Sequence, residues 1–148
     1  MSEVLYDVAI VGFGPSGAVA AGLLGQAGLN VYVCDMTHDV YDKPRAIALD
    51  HEILRVFQQL DVLAEIEPFC EPFTDSCYLG VDGPLIRRLT MVEKPYPQTF
   101  TPSVVFTQPP VEEVLRSKVR TLPNVTVETG MKLAALSQTS ELASLELT

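Results

Sequence analysis

The 148-residue sequence has no tryptophan and only two histidines. Histidine is the usual general base and a common metal ligand. Here His38 and His51 stand apart, and neither has a Ser, Cys or acidic constellation near it. They are expected in a loop and on a helix surface. Cysteine is scarce too, with residues 34, 70 and 77 only, an odd count and no C-x-x-C. That excludes a disulfide framework or a thiolate metal site and predicts reduced thiols in a cytoplasmic protein. No metal site is expected.

Positive charge is also short. Ten Lys and Arg face nineteen Asp and Glu, for a net charge of -9. Nucleic-acid binders carry basic patches. The one Arg pair, Arg87-Arg88, would point to opposite faces of a strand. Nucleic acid is therefore excluded as a partner. No unbroken apolar run reaches about 18 residues, so no membrane span is expected. "AVAA" mimics a signal-peptide cleavage site, but the leader "MSEVLYD" is acidic and Gly-Pro interrupts the apolar run. Asn124-Val125-Thr126 matches a glycosylation acceptor, which has no meaning in a cytoplasmic chain.

What the chain does have is apolar residues, 47% of the total with a mean hydropathy of +0.22. That is rich for a small domain and calls for buried parallel strands. The length suits about one domain. Val8–Val11 is a continuous apolar run, as in a strand covered on both faces. Pro15 opens a helix, where a missing N–H costs nothing, and Gly28 suits its C-terminal cap. Val31, Val33 and Cys34 form a second strand that ends at Asp35. This is a β-α-β unit with parallel strands.

Residues 36–45 read as a loop. Asp50 can cap a helix with Ile53, Val56, Phe57 and Leu60 on one face, extended through Ile66 and stopped before Pro68. "DSCYLGVDGPLIRRL" has the form of a hairpin around Asp82-Gly83. Residues 91–102 are proline-rich and irregular, and "SVVFT" is a strand. A helix over Pro110–Leu122 lines up Val111, Val114, Leu115, Val119 and Leu122. Glu112 and Glu113 fall in its first turn, Arg116, Lys118 and Arg120 follow, and Glu112 and Arg116 are a favourable i,i+4 pair. "NVTVET", "MKLAALSQ" and "LASLELT" are three further strands.

The segment Gly12-Phe13-Gly14-Pro15-Ser16-Gly17 reads G-x-G-x-x-G between a strand and a helix. Gly12 allows a tight turn, Gly14 lets a pyrophosphate approach the backbone, and Gly17 lets helix and strand pack. The helix N-terminus offers N–H groups and a positive dipole end to phosphates. Asp35 is placed to accept from ribose hydroxyls and would repel a 2′-phosphate. The nucleotide is therefore FAD or NAD rather than NADP, and the motif alone does not separate those two.

With "KPRAIALDHEILRVFQQLDV" and "VVFTQPPVEEVLRSKV", the glycine motif makes the chain resemble the FAD-dependent aromatic hydroxylases. These are the class A flavoprotein monooxygenases, and the chain looks closest to the 3-(3-hydroxyphenyl)propionate hydroxylase branch. The likeness runs from Tyr6 to about Gly130. It implies that Arg45, of Arg45-Ala46, reaches the FAD phosphates and that Gln108, of Gln108-Pro109, approaches the flavin side. Read without it, Arg45 is a solvated loop arginine or a partner of Asp42, and Gln108 a helix cap. His51 borders the loop that would pass the cofactor, which leaves a substrate contact open to it.

The resemblance implies a Rossmann-like α/β FAD-binding domain with the start of a substrate-domain β-hairpin region, incomplete relative to the family. The expected segments are a β-α-β core with its following helix over 1–70, a hairpin and loop over 71–107, and a return to the FAD-binding domain over 108–148. In the family, NAD(P)H reduces FAD, and a phenolic ring is then hydroxylated with O2. The later Asp-Gly and Gly-Asp fingerprints are missing here, and Asp82-Gly83 comes too early to serve. No catalytic residue is identified. The expectation is an N-terminal portion, inactive alone, with uncovered apolar strands that invite self-association. A non-catalytic dinucleotide-binding module and a fragment of an NAD-dependent dehydrogenase are the rival readings.

Overall fold

The structure, a computed structural model, describes residues 5–73, 75–90 and 93–148. Leader residues 1–4 and positions 91 and 92 of the proline-rich loop lie outside the described residues. In chain order the elements are β1 (Val8–Val11), α1 (Pro15–Gln26), β2 (Val31–Asp35), β3 (Ala48–Asp50), α2 (His51–Gln59) and α3 (Leu63–Ile66). A 3-10 turn (Glu67–Phe69) leads to β4 (Cys70–Pro72), β5 (Asp75–Leu79), β6 (Leu85–Thr90) and β7 (Ser103–Phe106). Then come α4 (Gln108–Arg120), β8 (Val125–Thr129), β9 (Leu133–Gln138) and β10 (Ala143–Leu147). Two compact units emerge, one of Met1–Asp42 with Glu112–Thr148, the other of Lys43–Val111.

In the first unit β1, β2 and β8 form a parallel sheet with β2 in the middle. Val33 lies beside Ile10 on one side and Val127 on the other. The strand covered on both faces is β2, in which Val31, Tyr32, Val33 and Cys34 are all buried. This corrects the expectation for β1, which alternates and leaves Val11 51% exposed. As an edge strand, β1 has one neighbour, and Ala9 and Val11 point to an open face. An apolar run reports that a strand suits burial, not which faces are met.

Helix α1 lies close to the sheet because it buries Ala18, Ala21, Gly22 and Gly25. A Cβ on Gly25 would come within 2.6 Å of Val125 Cγ2 and 2.9 Å of Leu122 Cδ1. Gly28 follows the helix cap with φ +87°. Asn124 anchors this end of α1, since its Nδ2 donates to the carbonyls of Gly25 (2.9 Å) and Leu29 (2.7 Å). Helix α4 buries Val111, Leu115 and Val119 as expected. It begins at Gln108, so Glu112 and Glu113 lie beyond its first turn and only Lys118 and Arg120, in the last turn, suit its dipole. Strands β9 and β10 pair antiparallel, with Leu136 exposed.

In the second unit β7 pairs antiparallel with β3 on one side and β4 on the other. Both flanking strands have three residues, too short for any sequence period. Asp50 caps α2 as expected, its Oδ1 accepting from the N–H groups of Glu52 and Ile53 at 3.0 Å each. The buried face of α2 is Leu54 and Phe57, continued by Leu60, whereas Ile53 is 37% exposed. Apolar residues at 53, 54, 56, 57 and 60 suit either of two overlapping faces, and packing selects one. Pro68 sits inside the 3-10 turn rather than beyond the end of the helical stretch. Strands β5 and β6 form the hairpin around Asp82-Gly83, and Arg88 pairs with Asp75 at 2.7 Å. No helix among the described residues is long and apolar enough to cross a membrane.

Candidate nucleotide-binding site

The glycine turn leaves the end of β1 and is tied to the end of β2 by two backbone donors. Gly12 N–H donates to the Cys34 carbonyl at 2.7 Å, with a φ of +108° that disfavours any side chain. Phe13 N–H donates to Asp35 Oδ2 at 2.7 Å. The other oxygen, Oδ1, accepts from the N–H of Thr37 at 2.8 Å and from its hydroxyl at 2.7 Å. Asp35 is thus held facing the turn. Thr37 was legible in principle, because an Asp two residues before a Thr is a local turn pattern.

Gly14 is the N-cap of α1 and Pro15 its first residue. Ala18 N–H closes the first turn on the Gly14 carbonyl at 2.9 Å. No side chain caps this end of the helix. A Cβ on Gly14 would meet nothing within 4 Å, whereas one on Gly17 would collide with the Gly12 carbonyl. Gly17 is therefore a packing glycine, and Gly14 borders open space. Ser16 is exposed on the first turn. A partly exposed backbone at Gly14, beside a helix N-terminus that no side chain caps, fits an anionic linker such as a pyrophosphate.

Phe13 is fully buried under two guanidinium groups, that of Arg116 at 5.1 Å from the ring centroid and that of Arg120 at 5.4 Å. Arg116 is 4% exposed and pairs with Glu112, 3% exposed, at 2.8 Å. The sequence pairs these two as an i,i+4 couple, but nothing in it shows that the couple is buried.

Burial alone would raise the Asp35 pKa, but the hydrogen bonds from Phe13 and Thr37 and the charge of Arg116 outweigh it and hold the carboxyl below its usual range. Such a group contributes stability that is whole above its unfolded value and is lost as pH falls through the lower folded value. Asp35→Asn is therefore expected to flatten the acid side of the stability profile below about pH 4. Urea unfolding at stepped pH checks this, and an unchanged acid limb would contradict it.

Arg45 and Gln108 belong to the second unit. Arg45 is exposed. Gln108 is 5% exposed, and its Oε1 accepts from the backbone N–H groups of Arg45 and Ala46 at 2.9 Å each. The two motifs singled out separately are therefore joined, side chain to backbone. His38 is exposed, with Nδ1 3.4 Å from Thr129 Oγ1. His51 opens α2, and its buried Nδ1 has no partner among the described residues. A surface hollow along α2, lined by Glu52, Arg55, Val56, Gln58 and Gln59, contains none of the predicted site residues.

Comparison with known proteins identifies the family. The family profile described as FAD binding domain matches residues 5–147. The chain is 32% identical over 132 residues to a probable NADH-specific resorcinol 4-hydroxylase of Rhodococcus jostii (strain RHA1), covering 89% of this chain and 25% of that protein. It is 31% identical over 141 residues to the 3-(3-hydroxy-phenyl)propionate/3-hydroxycinnamic acid hydroxylase of Escherichia coli (strain K12), covering 95% and 25%. Among solved structures, p-nitrophenol 4-monooxygenase PnpA from Pseudomonas putida DLL-E4 superposes with a TM-score of 0.85 at 25% identity, over 99% of this chain and 37% of that one. The chain thus spans about a quarter of the length of these curated relatives. Matched by the profile over nearly every residue, the chain belongs to the FAD binding domain family.

Proposed function

We propose that this chain is the FAD-binding portion of an NAD(P)H-dependent hydroxylase of phenolic rings. The observation that carries this reading is the open space at Gly14, beside an uncapped helix N-terminus and an anchored Asp35. The turn from Gly12 to Gly17 would cradle the pyrophosphate, with the N–H groups of Gly14, Ser16 and Gly17 as donors, and Asp35 would accept from the adenosine ribose. Arg45 supplies a charge to the phosphates, and Gln108 holds the backbone amides of the Arg45-Ala46 pair. Bound FAD supplies the electron transfer and oxygen activation that ring hydroxylation requires. This chain's share is to bind and orient the cofactor. Ring hydroxylation, within aromatic catabolism in the cytoplasm, belongs to a protein of the relatives' length. The relatives' names support a phenolic substrate and reduced nicotinamide as the electron source.

The test is a titration of FAD and ADP into the purified chain. A hydrogen bond to a charged group is worth roughly 1.5–3 kcal/mol. Arg45→Ala is therefore expected to weaken FAD about ten-fold or more while leaving the urea midpoint in place. Loss of stability with unchanged FAD affinity would return Arg45 to a structural role. With FAD, NADH and hydroxyphenylpropionate, the chain alone should give no hydroxylated product. Light scattering is expected to show self-association through exposed apolar strand residues such as Leu136 and Val11, and a stable monomer would remove that part of the reading.

A further inference from the structure

Arg116 is a buried cation that pairs with Glu112 and lies over Phe13 of the glycine turn. Its Nη2 lies 2.8 Å from Glu112 Oε1, and both side chains are almost fully enclosed. Its guanidinium lies over Phe13, the residue between the first two glycines of the turn. Its Nε is buried with no hydrogen-bond partner among the described residues. Proteins seldom leave a buried donor unmatched, because the lost hydration is not recovered. A hydrophobic residue would fill this place at lower cost if packing were the only demand.

We propose that Arg116 is a positioning residue for the adenosine end of the cofactor: fixed by Glu112, it clamps the Phe13 ring and so sets the Phe13 amide against Asp35. The chain of contacts is continuous. Glu112 orients the guanidinium one helical turn along α4. The guanidinium attracts the Phe13 ring, which the exposed Arg120 also approaches at 5.4 Å, but only Arg116 is buried and fixed by an ion pair. With its ring immobilised, Phe13 aims its N–H at Asp35 Oδ2, 2.7 Å away. Asp35 then keeps one orientation toward the turn, with Thr37 on its other oxygen. The charge of Arg116 also acts on the same carboxylate, keeping it ionised as pH falls. Removing the cation should thus loosen the turn and make Asp35 easier to protonate. The inference rests on the FAD-site reading above and adds a residue to it.

The test uses the full chain. Arg116→Met alone would strand the Glu112 carboxylate in the interior and could fail to fold. The informative variant is therefore the double one, Glu112→Gln with Arg116→Met, which removes both charges at similar volume. Arg116→Lys serves as the conservative control. Urea unfolding reports stability, and calorimetric titration of ADP and FAD between about pH 4 and 8 reports binding. The double variant is expected to unfold near the parental midpoint and to bind both ligands about ten-fold more weakly at neutral pH. Its affinity should fall away at a higher pH than the parent's, and Arg116→Lys should recover part of both effects. A folded double variant with parental affinity and pH profile overturns the proposal and leaves the FAD site standing. A parent that binds neither ADP nor FAD, or a Gly14→Val chain that binds both as well as the parent, overturns the site reading and the proposal together.

Discussion

Gly14→Val is expected to leave the chain folded and to weaken FAD and ADP binding by two orders of magnitude or more, about 2.7 kcal/mol. The two effects separate because of where the new side chain would go. A Cβ on Gly14 meets nothing within 4 Å beyond its chain neighbours, so the fold leaves room where the side chain begins. The backbone there is extended, with φ -69° and ψ -175°, which suits a β-branched residue. Replacing an N-cap glycine should cost the fold under about 1 kcal/mol. In the proposed site the same open space is where the pyrophosphate would approach the backbone. Two methyl groups there would hold it away from the N–H groups of α1. Matched titrations of parent and variant, each checked by circular dichroism, decide the matter. Equal FAD affinity would show that the turn is only a connector.

Gly17→Val is expected to do the reverse and strike the fold first. Its Cβ would be driven into the Gly12 carbonyl, with Ile10 Cγ2 at 3.4 Å. The Gly12 backbone cannot yield easily, because its own N–H is tied to the Cys34 carbonyl at 2.7 Å. Helix and strand must then separate at their closest point, which costs about 3 kcal/mol or more. For a chain of this size that corresponds to a fall in melting temperature of roughly 6–12 °C. A thermal scan measures it. A variant that melts with the parent would contradict the close approach of α1 to the glycine turn. The contrast between Gly14 and Gly17, three residues apart in one motif, separates a ligand glycine from a packing glycine.

The burial of Glu112 and Arg116 exposes the limit of periodic patterns. The apolar residues of α4 at 111, 115 and 119 mark the buried stripe correctly. Positions 112 and 116 are charged, and a charged i,i+4 couple ordinarily reads as a solvated pair. In the packed chain both side chains are interior, with Arg116 over Phe13, about a hundred residues earlier. Asn124 teaches the same lesson. Its tripeptide matches a modification signal, yet its side chain ties two carbonyls of the α1 end.

By itself the sequence determined whatever depends on neighbouring residues. The glycine turn and its helix follow from backbone freedom at Gly12 and the helix start at Pro15. The same holds for the Asp50 cap and the Asp82-Gly83 hairpin, because turn and cap chemistry acts within a few residues. The two apolar strands and the acid that ends the second were legible for that reason. Tertiary structure alone decided which faces are covered. It left Val11 open while closing β2, and it paired two three-residue strands with β7. It also gave the Gln108 oxygen to Arg45 and Ala46, and set Arg116 over Phe13. These contacts join residues roughly thirty to a hundred positions apart, where no local period carries a signal, so only the packed chain specifies them.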